Sequence, residues 1–429
     1  MRYVIIGASA AGVSCAENLR KHAPAAEITL ISDETFALYS RCLLTYLIAG
    51  TIGEKDLAFK AKNFFEANKI ITHLGKKALS VDRQKKVVLI EGNQEVVYHK
   101  LLLATGASAK TVKAPGVEKK GVFTVRKIDD ARAILAMMER VEDVVVLGGG
   151  LIGLRDAYAF SLRKKRVTVV VKSPQILSQM IDQDAAKIIS YILEENGIKI
   201  LTGTDAKEIT GGESVEGVVL DNGQKLSCQM VIIGKGVKAN SQLAEQAGLK
   251  VEEGILTDEF LRTSDSNIFA AGDCAQTFDL ARQKTRVNAL WPCAVEQGEK
   301  AALNMMGKQT SYAGSLSMNS VDFFGLPCIS LGITRAKDRQ EYKELIKKEN
   351  GKYYKKLVLK ENKIVGMVLV NDIRIAGIIA RLIQERIDVT PIRHLLLDDN
   401  FDYAKILPLI KANQDKFKQE EFQDTMMSY

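Results

Sequence analysis

Short apolar runs, each followed by a glycine-rich turn and then a helical period, organise the first half of the chain. Residues 3–6 (YVII) form one such run, leading into Gly7-Ala8-Ser9-Ala10-Ala11-Gly12 and a helix-like stretch to about His22. A second apolar run, Ile28–Ile31, ends in Ser32-Asp33-Glu34. The pattern returns at Val144–Leu147, which leads into Gly148-Gly149-Gly150-Leu151-Ile152-Gly153, another helical stretch, and Val167–Val171 ending in Lys172. Each unit is predicted to be a strand, a glycine-rich turn, a helix and a strand. The first Gly permits a tight turn, a small second residue lets the backbone approach a pyrophosphate, and the last Gly lets helix and strand pack closely. The helix N-terminus then offers unpaired N–H groups and the positive end of its dipole to phosphate. Ser9 replaces the middle Gly in the first unit and is small enough to keep that logic. Two such units imply two bound dinucleotides, and the simplest use of two dinucleotides is hydride transfer between them.

Further strands are expected at Val87–Ile90 and Val96–Leu103, the latter running into Ala104-Thr105-Gly106. Val215–Leu220 and Lys225–Leu226 flank Asp221-Asn222-Gly223 as a hairpin. Met230–Ile233 leads into Gly234-Lys235-Gly236, and Ile268–Ala271 into Gly272-Asp273. From about residue 319 the character changes: a hairpin over Tyr353–Leu359 and Ile364–Val370, a helix over Ile373–Arg386, and a polar tail from Lys411 that reads as helical or frayed.

At 429 residues the chain is too long for one core and implies two or three domains. Its 46% hydrophobic and 26% charged content is that of an ordinary soluble protein. No run approaches the ~18 apolar residues of a membrane helix. The N-terminus lacks the pattern of a signal peptide, so the expectation is a cytoplasmic protein without membrane association. The six cysteines and four histidines are scattered, with no C-x-x-C pair. No zinc or iron–sulfur site is expected, and any metal centre in the pathway belongs to a partner. The net charge of +8 suits either a plain solvated surface or docking to an acidic partner or an anionic cofactor. No nucleic-acid motif is present.

The two glycine loops, Leu102-Leu103-Ala104-Thr105-Gly106 and Asn267-Ile268-Phe269-Ala270-Ala271-Gly272-Asp273 together resemble the FAD-dependent pyridine nucleotide oxidoreductases. The match spans nearly the whole chain. The stretch KLVLKENKIVGMVLVNDIRIAGIIARLIQERIDV (residues 356–389) is similar to one branch of that family. That branch holds NADH:rubredoxin reductases, the flavin module of assimilatory nitrite reductases, and FAD–NAD(P) oxidoreductases associated with carbon monoxide dehydrogenase. The resemblance implies an α/β chain with two Rossmann-like domains. A discontinuous FAD domain covers 1–112 and 247–318, and an NAD(P) domain, 113–246, is inserted in it. A C-terminal α+β domain, 319–429, packs over the flavin or forms a homodimer or partner interface.

Carried onto this sequence, the resemblance gives FAD the loop residues Gly7, Ser9, Ala10, Ala11 and Gly12. It adds Asp33 or Glu34 for the adenosine ribose, Ala78, Thr105 and Gly106, and Gly272 with Asp273 for the ribityl chain. Trp291 and Ala294 match the helix start facing the flavin pyrimidine, although a lone Trp also fits core packing. Arg126 corresponds loosely to an Arg near the nicotinamide. Gly148, Gly150, Leu151, Ile152 and Gly153, with Gly234 and Gly236, fall to NAD(P)H. Two positions depart from the family pattern. Arg155 stands where many relatives carry Glu, and Val171-Lys172 where NADH-specific relatives carry a carboxylate. Lys172 either attracts a 2′-phosphate or is a solvated loop residue, so NADH and NADPH both remain open. Lys235 adds a second cation nearby.

Within LYSRCLLTYLIAG (residues 38–50), Arg41 matches a contact to the FAD pyrophosphate. Cys42 occupies a place comparable to the single redox cysteine of NADH oxidases, NADH peroxidases and coenzyme A disulfide reductases. Its flanks differ from theirs, with Leu43 where they have Gly. Cys42 is therefore either a catalytic thiol, activated by a nearby helix start and Arg, or a small hydrophobe. The leading expectation is an enzyme that moves electrons between NAD(P)H and a ferredoxin- or rubredoxin-like iron–sulfur carrier through FAD. Its rivals are a Cys42-dependent oxidase, peroxidase or CoA-disulfide reductase, and a non-catalytic FAD-binding redox sensor or complex subunit.

Overall fold

The computed structural model describes residues 1–336, 338, 340–349 and 351–417. The chain divides into two compact units. The first comprises Met1–Pro174, Gly197–Asp279 and Lys284–Ser315, and the second Gln175–Asn196, Leu280–Gln283 and the chain from Leu316 onward.

In the first unit, each expected glycine-loop unit is embedded in its own five-stranded parallel sheet. One sheet runs in the order Ile268–Ala270, Lys100–Leu103, Arg2–Ile6, Glu27–Ser32, Ile71–Leu74, all neighbours parallel. The other runs Ile198–Thr202, Arg166–Val171, Asp143–Leu147, Met230–Ile233, Val122–Phe123, again all parallel. The central strands Arg2–Ile6 and Asp143–Leu147 are apolar without alternation because both faces are covered. Arg2–Ile6 has a neighbour on each side, and so has Asp143–Leu147. The loop after each therefore leaves the sheet at a topological switch point, where open α/β sheets bind ligands.

Helix α1 (Ala10–His22) buries Val13, Cys15, Ala16 and Leu19 and carries Arg20 and Lys21 in its last turn, cations that suit the negative end of its dipole. Arg20 also donates to the carbonyls of Pro24, Ala26, Asn68 and Lys69, tying the helix end to the next strand. Helix α2 (Leu44–Ala49) stops at Gly50, whose φ of +76° provides the left-handed cap. Helices α3 (Ile128–Met137), α4 (Leu151–Leu162) and α5 (Trp291–Met305) follow, the last with Pro292 in its first turn, where no N–H is missed.

The expected strand Val96–Leu103 is in fact two. Gln94–Val97 pairs antiparallel with Val87–Ile90, whereas Lys100–Leu103 joins the parallel sheet. The chain changes sheets at Tyr98 and His99, whose amides bond to Lys86 and Arg2 instead. A short ribbon pairs Ala107–Ala109 antiparallel with Val237–Ala239.

The second unit holds a five-stranded antiparallel sheet in the order Met318–Phe323, Leu326–Gly332, Lys363–Val370, Tyr353–Lys360, Lys343–Glu349. The expected hairpin is its centre. The edge strand Lys343–Glu349 carries no strand pattern in its sequence because its charges do not alternate with apolar residues, as befits an edge that must resist pairing. The helix expected over Ile373–Arg386 spans Ala376–Gln384. A further helix, Tyr403–Ala412, precedes the expected tail, which beyond residue 417 lies outside the described residues. Gln175–Asn196, which the sequence division assigns to the inserted domain, clusters here. Asp182 caps the helix Gln183–Glu195 and accepts from Tyr354 (2.7 Å) and the buried Lys356 (2.9 Å). Among the described residues no helix is long and apolar enough to cross a membrane.

Candidate dinucleotide sites

The loop after Arg2–Ile6 opens on a cavity of about 1250 Å³. Two glycines shape it. Gly7 has φ +120°, and a Cβ there would stand 2.0 Å from the Ala104 carbonyl oxygen; one at Gly12 would stand 1.9 Å from that of Gly7. Only glycine permits this folding of loop against helix. The N-cap of α1, Ser9, makes no side-chain cap, and no acidic residue stands in the first turn. The helix N–H groups are thus left for a ligand anion rather than used internally.

The structure brings most of the first set of candidates to this one cavity. Gly7, Ser9, Ala10 and Ala11 line it from the loop, and Asp33, Glu34, Arg41 and Cys42 from the segment after the second strand. Ala78, Thr105, Gly106 and Arg126 form further wall, and Gly272, Asp273, Trp291 and Ala294 close it. Gly12 lies behind the loop and does not line it. Trp291 lines the cavity and also meets Phe59 edge to face at 5.1 Å.

A charge network runs along this wall. Arg41 pairs with Glu34 and donates to the Arg126 carbonyl at 2.9 Å. Tyr39 donates to Glu34 at 2.6 Å and accepts from the Ile128 amide. Arg126 pairs with Asp273 at 2.6 Å, and Lys127 with the exposed Asp33 at 2.9 Å. Asp130 holds the turn by accepting from the amides of Arg126 and Lys127. Arg41, expected on a phosphate, here faces a carboxylate and a carbonyl. Thr105 and Asn240 bond reciprocally, hydroxyl to carbonyl at 2.6 Å and amide to carbonyl at 2.9 Å. Gln297 of α5 accepts from the Gly272 amide at 2.7 Å. Tyr39, Lys127, Asp130 and Asn240 were not singled out from the sequence. Only Asp130, three residues beyond Lys127 at a helix start, carried a local signal.

Cys42 is exposed at the cavity. Desolvation by the walls raises its thiol above the ordinary value, and the nearby Arg155 only partly offsets this. A thiol so placed holds its proton at neutral pH, contrary to what a nucleophilic cysteine needs. Cys293, in the first turn of α5, is pushed up to about 11 by burial.

The second loop repeats the geometry of the first. A Cβ at Gly153 would stand 2.1 Å from the Gly148 oxygen, and one at Gly148 would stand 2.4 Å from that of Gly234. Gly150, the N-cap of α4, has open space before it and no side-chain cap. Leu151 and Ile152 begin the helix, without an acidic residue in its first turn. Gly236 follows the neighbouring strand with φ +83°. Lys172 is exposed at the end of Arg166–Val171. Lys235, expected as a second cation nearby, pairs with Asp205 at 2.7 Å. Arg155 donates to the Cys42 carbonyl at 3.1 Å and stacks over Tyr46 at 5.2 Å. Both loops thus fit a dinucleotide pyrophosphate on the same physical grounds.

Residues 1–298 match the family described as pyridine nucleotide-disulphide oxidoreductase, and residues 318–387 match the rubredoxin NAD+ reductase C-terminal domain. The chain is 30% identical to the NADH-dependent phenylglyoxylate dehydrogenase subunit epsilon of Aromatoleum evansii, over 91% of this chain and 93% of that one. It is 29% identical to the assimilatory nitrate reductase electron transfer subunit of Bacillus subtilis, over 87% of this chain but only 48% of that longer protein. The crystal structure of a ferredoxin reductase from Rhodopseudomonas palustris superposes with a TM-score of 0.86 at 27% identity, covering 96% of this chain and 99% of its own.

Proposed function

Because the chain belongs to the pyridine nucleotide-disulphide oxidoreductase family, we propose that it oxidises NAD(P)H through bound FAD and passes the electrons singly to an iron–sulfur carrier protein of the ferredoxin or rubredoxin type. The observation that carries this reading is the pair of uncapped helix starts behind glycine loops, one of them opening on a cavity of about 1250 Å³. FAD, when bound, supplies the conversion between a two-electron hydride and single electrons. The protein binds and orients. The α1 loop, with Thr105 and Gly106, takes the FAD pyrophosphate, and Asp33 and Glu34 stand where a ribose would present hydroxyls. Asp273 exchanges its bond to Arg126 for ribityl hydroxyls, and Arg41 lends positive charge to the phosphates. The α5 N-terminus, with no acidic residue in its first turn, favours negative charge on the flavin pyrimidine. The α4 loop takes the nicotinamide nucleotide.

The C-terminal match supports a rubredoxin-like carrier, and the positive net charge supports an acidic one. All six cysteines are free, which suits a reducing compartment such as the cytoplasm. Anaerobic titration with NADH and NADPH, followed by stopped-flow mixing with ferredoxin and rubredoxin, tests the reading. Flavin bleaching followed by rapid carrier reduction supports it, and turnover that never involves a carrier sinks it. A thiol mechanism at Cys42 has its place in the cavity wall in its favour and its raised thiol against it. Cys42→Ser is expected to leave carrier reduction within about twofold of wild type; abolished activity would put the thiol mechanism in its place.

A further inference from the structure

Arg155 links the helix behind the second glycine loop to the wall of the first cavity. It is the fifth residue of α4, about one turn beyond the glycine loop. Its Nη2 donates to the carbonyl of Cys42, a residue of the cavity wall, and its guanidinium is stacked over Tyr46 of α2. Two turns further along α4, Arg163 donates from Nε to the Ile48 carbonyl at 2.9 Å, so the same helix is tied to α2 at both ends. The Arg155 charge is thereby held in a fixed place between the second loop and the first cavity. Under the function proposed above, a nicotinamide ring carried by the α4 loop into that cavity would approach this charge.

That charge is also unneutralised. Arg41, Arg126, Arg132 and Arg166 each face a carboxylate. Among the described residues no carboxylate pairs with Arg155. The adjacent Asp156 is fully buried and makes no ion pair with it, and burial pushes its carboxyl well above the usual range, which disfavours the charged form. The nucleotide itself changes charge in the reaction. Loss of a hydride, a proton with two electrons, turns the neutral dihydronicotinamide ring into a cation. Fixed charges at close range in a partly desolvated site are strong enough to tell those two rings apart.

We propose that Arg155 is a specificity-determining residue that discriminates between the redox states of the nicotinamide nucleotide, repelling the cationic oxidised ring and sparing the neutral reduced one. The consequence is ready release of the oxidised nucleotide and a bias toward electron flow from NAD(P)H to the carrier. This rests on the function proposed above.

The test is equilibrium titration of the oxidised flavoprotein with NAD+ and with tetrahydro-NAD, a neutral analogue that cannot give up hydride, both read from the flavin spectrum. Wild type is expected to prefer the neutral analogue. Arg155→Gln is expected to shrink that preference roughly tenfold, about 1.4 kcal/mol, mainly by tightening NAD+. Arg155→Lys keeps the charge and is expected to keep most of the preference. An unchanged ratio in Arg155→Gln, or equal weakening of both ligands, overturns the proposal, because a merely structural role would not separate the two charge states. A preparation that binds no flavin overturns the proposed function itself, an outcome distinct from flavin bound with the ratio unchanged.

Discussion

Replacing Asp156 is expected to stabilise the protein. Its side chain is 0% exposed, and neither carboxylate oxygen has a hydrogen-bond partner among the described residues. Burial raises its pKa well above that of a free aspartate, and the Arg155 charge only opposes this. The folded state therefore keeps a proton that the unfolded chain gives up above roughly pH 4. The unfolded state binds fewer protons, so stability falls as pH rises from about 4 through the raised folded pKa. Asp156→Ala removes both orphan oxygens, a gain of about 1–3 kcal/mol, and adds roughly 0.5 kcal/mol of helix propensity. The void of a carboxyl group returns only a fraction of a kcal/mol at about 24 cal/mol per Å³. For a chain of this length 1 kcal/mol moves Tm by roughly 1 °C. Thermal melts of the flavin-loaded protein at pH 5.5 and 8, read by circular dichroism, should show Asp156→Ala melting higher, more so at pH 8. Asp156→Asn, which keeps the shape and loses the ionisation, should flatten the pH dependence while gaining less. A lower melting temperature for Asp156→Ala at both pH values would refute the reasoning, because it would mean the carboxyl has a partner worth more than its burial costs.

Asp273→Asn, which leaves Arg126 facing a neutral amide and weakens acceptance from ribityl hydroxyls, is expected to loosen FAD by about 10–100-fold, the worth of a charge-assisted bond; the flavin retained after gel filtration measures it. Lys172→Glu should raise the KM for NADPH at least about tenfold while leaving that for NADH within about threefold, since a carboxylate repels a 2′-phosphate; equal effects on both would place Lys172 outside the nucleotide site. Asp182→Asn should destabilise by somewhat less than the 3–5 kcal/mol of a broken buried pair, because Glu344 also holds Lys356. Burial would raise the Asp182 pKa, but bonds from Lys356 and Tyr354 hold it below the usual range. Its stabilisation is therefore present above the unfolded pKa near 4 and lost as pH falls through the lowered one. Urea melts at pH 7 and pH 3 should show the variant's deficit shrinking at the lower pH.

The parallel sheets and both glycine loops were legible in the sequence because backbone need dictates residue type there. Gly7 and Gly148 occupy positive φ against a facing carbonyl, and no other residue fits. The Tyr98–His99 sheet change was not legible. A run of apolar residues looks the same whether it serves one sheet or two, and only the tertiary partners of those amides distinguish the cases. The edge strand Lys343–Glu349 was hidden by the charges that protect it. Of the cavity wall, residues recognisable by type and place were legible, whereas those that act through distant pairing were not. Asn240 meets Thr105 across 135 residues of sequence, and nothing local announces it. Lys235 was recognisable as a cation by type and place, but its pairing with Asp205, 30 residues upstream, was not.

The ribbon of Ala107–Ala109 with Val237–Ala239 has a topological consequence. The chain leaves the first parallel sheet and comes back to it through two strands lying side by side, with the Lys110 amide bonded to the Gly236 carbonyl. The segment from 110 to 236 thus leaves and rejoins the first sheet at one point, where its two ends are already joined by a hydrogen bond. Its closure entropy is met at the ribbon whatever its contents, and such entropy grows only slowly with length. A change of length in an outer turn of this segment, such as residues 221–223 between the strands Gly217–Leu220 and Lys225–Ser227, should therefore leave the host sheet undisturbed, whereas exchange of the whole segment would take Arg126, Lys127 and Asp130 out of the cavity wall.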